Sequence, residues 1–72
     1  MAKHIGDIEI GHRAAEEVRR AFKSYAAASR ALGCNVKTVR YWENGGNPSV
    51  LMIARLNSYG CDVMYILTGN RK

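Results

Sequence analysis

Between Gly33 and Pro48 the chain reads GCNVKTVRYWENGGNP, a stretch with room for one short helix and nothing longer. Gly33 can take the positive backbone torsion that ends a preceding helix. Asn35 can cap the next one by accepting a bond from a free amide of its first turn. The glycines at 45 and 46, followed by the only proline, close the segment. A chain punctuated in this way is expected to fold as a set of short helices.

At about 100° per residue, Val39 and Trp42 of this segment point one way. Lys37, Arg40, Tyr41 and Asn44 fall at i, i+3, i+4 and i+7 on the opposite side, and Val36, Thr38 and Glu43 lie on the flanks. One face is suited to a core. The other is basic and aromatic and has no acid within it, whereas an ordinary solvated face mixes signs. Two short helices joined by a tight glycine turn form a helix-turn-helix unit, whose second helix enters the DNA major groove.

The rest of the chain reads as helices around this unit. Ala14, Val18, Ala21 and Phe22 recur at helical spacing between charged residues and predict a first helix over about 11 to 23. Ser24 can cap a second, YAAASRAL, whose many alanines allow a neighbouring helix to approach closely. After Pro48, SVLMIARLNSYG predicts a fourth helix with Ile53 and Leu56 as core candidates and Gly60 as its stop. Asp62 caps a short fifth, VMYIL. Residues 1 to 9 alternate only weakly, and nothing later reads as a strand to pair with them, so a loose arm is expected there. The expected organisation is an arm over 1–9, one all-α domain over 10–69 and a tail over 70–72.

A chain of 72 residues buries only about 60% of the surface that its unfolded form exposes, so a supplement to the core is expected. Cys34 and Cys61 form no C-x-x-C pair, and His4 and His12 lie far from both, which argues against a zinc site. No basic-then-apolar leader opens the chain, and no apolar run exceeds five residues, far from the roughly 20 of a membrane span. A cytoplasmic protein with reduced thiols is expected, and self-association is the remaining supplement. The net charge is +5 and the isoelectric point is near 9.6. Residues up to Lys23 carry +1 of this and those from Ser24 onward +4. A local basic excess is a footprint for phosphate, with nucleic acid the first partner to consider.

The stretch SYAAASRALGCNVKTVRYWENGGNP resembles the helix-turn-helix of the Cro/CI phage-repressor type, also called the xenobiotic-response-element (XRE) family. The features that carry the resemblance are Ser29, Gly33 in the turn, Val39 and Trp42 inside the second helix, then Glu43, Gly45 and Pro48. YGCDVMYILTG, residues 59 to 69, is similar to the last-helix segment of many short members. Ala28, Ser29 and Tyr25 stand where Leu, Ala and Gln are common.

The resemblance implies an all-α, five-helix, lambda-repressor-like domain with the helix-turn-helix at helices two and three. It implies that Val36, Lys37 and Tyr41 reach base edges, while Arg40 and Asn44, with Ser24 or Tyr25, hold the phosphate backbone. Lys37 would donate to guanine O6 and N7, and Val36 would touch a thymine methyl. Competing ordinary roles are phosphate contact alone for Lys37, packing on helix four for Tyr41, and pairing with Glu43 for Arg40. Glu43 has Arg19, Arg20 or solvent as candidate partners. The resemblance also makes Cys34 and Cys61 small core hydrophobes.

Five consecutive apolar residues in VMYIL cannot all point inward on one small domain. A homodimer through this helix and its neighbours would place two recognition helices roughly 34 Å apart on a near-palindromic operator. No enzyme is expected. His12 and Glu16 do not make H-E-x-x-H, no nucleophile has a base beside it, and NGGN at 44 to 47 lacks the G-K-[ST] of a phosphate-cradling loop. An exposed turn accounts for it. The sequence points to no cofactor and no small-molecule substrate.

The expected function is a sequence-specific transcriptional regulator, a phage or prophage repressor of the Cro kind, since the chain stops after its DNA-binding unit without a sensor domain. The alternative is a protein-binding module on the same fold, antitoxin-like or inhibitory, that has lost DNA. Such a module has no need of the acid-free face of helix three.

Overall fold

Hydroxyl, amide and carboxylate side chains start four of the helices at the places where short-range chemistry puts them. Ser24 Oγ accepts from the Ala27 amide at 3.0 Å, Asn35 Oδ1 from Lys37 at 2.8 Å, Ser49 Oγ from Met52 at 3.2 Å and Asp62 Oδ1 from Tyr65 at 3.0 Å. The result is a chain of five helices, α1 Ala2–Ala21, α2 Tyr25–Leu32, α3 Val36–Glu43, α4 Val50–Ser58 and α5 Val63–Thr68. The structure is a computed structural model that describes residues 2–71, with side chains from Glu9 onward. Among the described residues there is no strand, and no helix is long and apolar enough to cross a membrane.

The helix ends close as firmly as the starts. Gly33 follows α2 at φ 71°, and the Cys34 amide donates back to Ser29 O at 3.0 Å. At the end of α3, Gly45 turns at φ 97°. Its amide donates to Trp42 O at 2.9 Å and that of Gly46 to Tyr41 O at 2.8 Å. These bonds satisfy carbonyls that the last turn leaves without partners.

Where the sequence predicts a loose arm over residues 1 to 9, the structure has helix: α1 begins at Ala2. Once a helix is nucleated, each added residue gains one hydrogen bond for one residue fixed, so extension is cheap. Ile5 and Ile8, three apart, fit a helical period at least as well as an extended one. At its other end α1 stops at Ala21, short of the expected Lys23.

α1 is the backbone of the assembly, packed against α2, α3 and α5, with α4 resting on α2 and α5. Ala14, Ala15 and Val18 of α1 meet Ala28 and Leu32 of α2, Val39 and Trp42 of α3, Met52 and Leu56 of α4, Cys61 and Ile66 in one core. Two core expectations change. Ala21 is exposed where α1 ends, whereas Ala15, beside Ala14 in sequence, is buried. On α4 it is Met52 that joins Leu56 inside, four residues apart on one face. Ile53 is half-buried and lines a shallow groove of about 330 Å³ with Ile10, Asn47, Pro48, Val50 and Leu67. Gly11 lies where α1 crosses the α3–α4 loop, and a methyl group there would overlap the carbonyl of Gly46.

Among the described residues one charge lies inside. Glu17 is wholly buried, which is tolerable only when every oxygen is partnered. Its Oε1 accepts from the Asp62 amide at 2.8 Å and from Arg20. Its Oε2 accepts from Arg20 Nε at 3.1 Å and faces Arg71 Nη2 at 3.1 Å. The Arg20 bond outweighs the opposing effect of burial and, with the Asp62 amide and Arg71, holds the carboxyl at about 2, against 4.5 for an ordinary glutamate. The lowered value means that this stabilisation is complete above the unfolded value and is lost as the pH falls from about 4.5 towards about 2. Glu17→Gln is expected to cost on the order of 2 kcal/mol at neutral pH, discounted for the half-exposed arginines. It should also flatten the acid limb of stability. Thermal melts of both proteins at pH 7 and pH 3 check this, and an equally steep acid loss in the variant would refute it.

Candidate nucleic-acid interface

α3 presents its two faces as its spacing requires. Val39 and Trp42 are buried, while Lys37, Arg40, Tyr41 and Asn44 are exposed and Val36 is half-buried. The stripe expected to face outward therefore does so. Asn44 sits at the C-cap with Nδ2 donating to Arg40 O at 3.1 Å, which leaves the second hydrogen of that amide for another acceptor. Ser24 Oγ is occupied as an acceptor by the cap of α2 and keeps its own hydrogen to donate. The ring of Tyr41 lies against Gly46 in the α3–α4 loop and remains 61% exposed.

Tyr25 stands differently from Ser24. Its hydroxyl accepts from Arg19 Nη1 at 2.7 Å and donates to Glu43 Oε2 at 3.2 Å. A hydroxyl has one hydrogen to give, and here it goes to Glu43 and not outward. The acid at the end of α3 thus reaches Arg19 through a tyrosine. Arg20 is committed to Glu17, and Arg40 makes no pair with Glu43 among the described residues.

The distribution of cations is sharper than the sequence count. Arg13 Nε donates to Ile66 O at 3.0 Å and Arg55 Nη1 to Leu32 O at 2.7 Å, so each satisfies the end of a neighbouring helix. Arg71 lies against Glu16, Glu17 and Asp62 and stacks over the Tyr65 ring at 3.9 Å. Arg55 and Arg71 therefore contribute little to the outward excess counted from Ser24 onward.

Among the described residues, the exposed cations with neither an ion pair nor a side-chain hydrogen bond are Lys23, Arg30, Lys37 and Arg40. All four lie in the α2–α3 unit or in the turn that enters it. Lys23 and Arg30 were not singled out from the sequence, although a signal exists. Neither has an acid three or four residues away in sequence, so no neighbour at helical spacing can neutralise it.

The remaining chemistry is quiet. Cys61 is buried and Cys34 half-buried, both unpaired. Burial pushes both thiols up, which keeps them protonated and poorly nucleophilic. Among the described residues no three His, Cys, Asp or Glu side chains gather closely enough to hold a metal ion. Comparison with protein-family models, with curated proteins and with solved structures finds no match to this chain.

Because the Arg19–Tyr25–Glu43 bridge is exposed, Tyr25→Phe is expected to cost under about 1 kcal/mol in stability. Chemical denaturation checks the figure. A loss several times larger would mean that the bridge clamps the fold and does not merely orient Glu43.

Proposed function

We propose that this chain is a sequence-specific double-stranded DNA-binding transcriptional regulator of the Cro/CI helix-turn-helix kind, with α2 and α3 as the two helices of the unit. The observation that carries the reading is the clustering of unpartnered cations on α2, α3 and the turn before them, while the other described arginines are spent inside the molecule. An α-helix with its side chains is about 10–12 Å across, which a major groove about 12 Å wide admits.

In this reading Val36, Lys37 and Tyr41 face base edges. Arg40, Asn44 and Ser24 hold the backbone, and Lys23 and Arg30 add to the attraction that brings DNA to the surface. Tyr25 orients Glu43 and reaches a phosphate only by giving up that bond. Occupying an operator and excluding polymerase is the simplest action for such a protein, which makes it a repressor.

The protein works as a homodimer in this proposal. Val50, Leu51, Met64 and Leu67 are exposed on α4 and α5, and apolar surface shared by adjacent elements is what a two-fold contact covers. Two copies joined there read two half-sites about one DNA turn apart.

A salt titration of binding to random-sequence duplex tests the DNA reading. Wild-type affinity is expected to fall steeply with salt, and Lys37→Ala/Arg40→Ala to shallow the slope by about 2. A wild-type protein that fails to bind at low salt would turn the search towards a protein partner for the same face. Light scattering after size exclusion tests the dimer: a mass twice that of the chain is expected, and a monomer at high concentration would contradict it.

A further inference from the structure

The two glycines that follow α3 differ in purpose. Gly45 has φ 97°, a torsion that L side chains rarely adopt. Gly46 is not among the glycines with positive φ, so its backbone makes no such demand, and space does. A Cβ built on Gly46 would overlap Cδ2, Cε2 and Cζ of Tyr41. On its other side the Gly46 carbonyl faces Gly11 of α1 so closely that a methyl there would overlap it. The Gly46 amide is also tied to Tyr41 O at 2.8 Å. The glycine is held between α1 and the tyrosine ring and has no room to retreat.

The ring on this seat is placed and yet open. Tyr41 remains 61% exposed, and its hydroxyl has no hydrogen-bond partner among the described residues. Lys37, four residues earlier, lies on the same outward stripe. A loose exposed tyrosine would lose rotamer freedom on meeting a ligand. One already laid on a glycine has less to lose.

We propose that Gly46 is a positioning residue: it seats the Tyr41 ring, fixes the tyrosine hydroxyl for contact with a base edge, and so contributes to discrimination between DNA sequences and not to general affinity for duplex. This rests on the DNA-binding reading of α3. Nothing in the backbone bars alanine at 46, but alanine must push the ring off its seat. With Gly11 behind the loop, the exposed ring is the part that yields.

The test has two arms. In the free protein, nuclear magnetic resonance should show contacts between the Tyr41 ring and the Gly46 α-protons, with a ring-current shift of those protons that vanishes in Tyr41→Ala. Binding is then measured to the duplex that the wild type selects from a randomised library, and to the unselected library. Gly46→Ala is expected to lower the ratio of the two affinities about three- to tenfold, with affinity for the unselected library changed by less than roughly twofold. Tyr41→Ala should lower the ratio as well, and the double variant no further than Tyr41→Ala alone, because the two changes act through one ring. The double variant also lacks the overlapping ring, so it reports even if Gly46→Ala alone folds poorly. Missing ring contacts, an unchanged ratio in Gly46→Ala, or additive losses would each overturn the proposal. A wild type that has the ring contacts and no preference for the selected duplex would instead sink the DNA reading, and the role of the seat with it.

Discussion

A buried carboxylate must be fully partnered or it will not stay buried, and in this molecule that requirement falls on Glu17. Its two oxygens collect the amide that begins the α5 cap, the guanidinium one turn along α1, and Arg71 from beyond the last helix. The pair with Arg20 is local, whereas the bonds to Asp62 and Arg71 join the middle of α1 to the end of the chain. α5 contributes only Ile66 as a fully buried side chain. A helix of six residues with so little apolar anchorage needs a polar one, and Glu17 supplies it. With α5 held, Arg13 can reach Ile66 O and close its far end.

α1 faces two ways in consequence. One side binds α5 through charge, and the other supports α3 through small groups: Ala14 and Ala15 in the core that also holds Trp42, and Gly11 against the loop that follows α3. The outward face of α3 is therefore fixed from behind by contacts that leave little slack. Close-packed protein interiors pass displacements on and do not absorb them. A side chain at Gly11 would accordingly be felt at Tyr41, whose ring leans on the same loop.

What could be read from the sequence follows the range of the interactions. The caps at Ser24, Asn35 and Asp62 and the glycine ends after α2 and α4 rest on bonds spanning a few residues, and their places were legible from residue type alone. So was the division of α3 into a core face and a basic face, because helical period decides it. Glu17 was not legible: in sequence it is one acid among the charges of an amphipathic helix, and the partner that explains its burial lies 45 residues away. The same holds for Arg13 and Arg55, which count as surface cations until the helix ends that they close, 53 and 23 residues distant, come into view. The start of α1 was missed for another reason. A weak apolar alternation over so few residues cannot separate a strand from the first turns of a helix. Ile53 and Met52 exchanged roles because adjacent positions on a short helix differ by only about 100°.

The placement of Glu43 shows how geometry refines a charge count. An acid at the end of a basic helix would weaken attraction for an anion if it stood within the cationic stripe. Here the Tyr25 hydroxyl takes a hydrogen bond from Arg19 and gives one to Glu43, so the acid is turned towards α1. A bridge this exposed contributes little to folding free energy, and its effect is directional. It fixes where a negative charge sits, and Lys37 and Arg40 are left facing outward without a competing carboxylate. Phenylalanine at position 25 would keep the ring and lose the orientation, because the hydroxyl alone can accept from the arginine while donating to the acid.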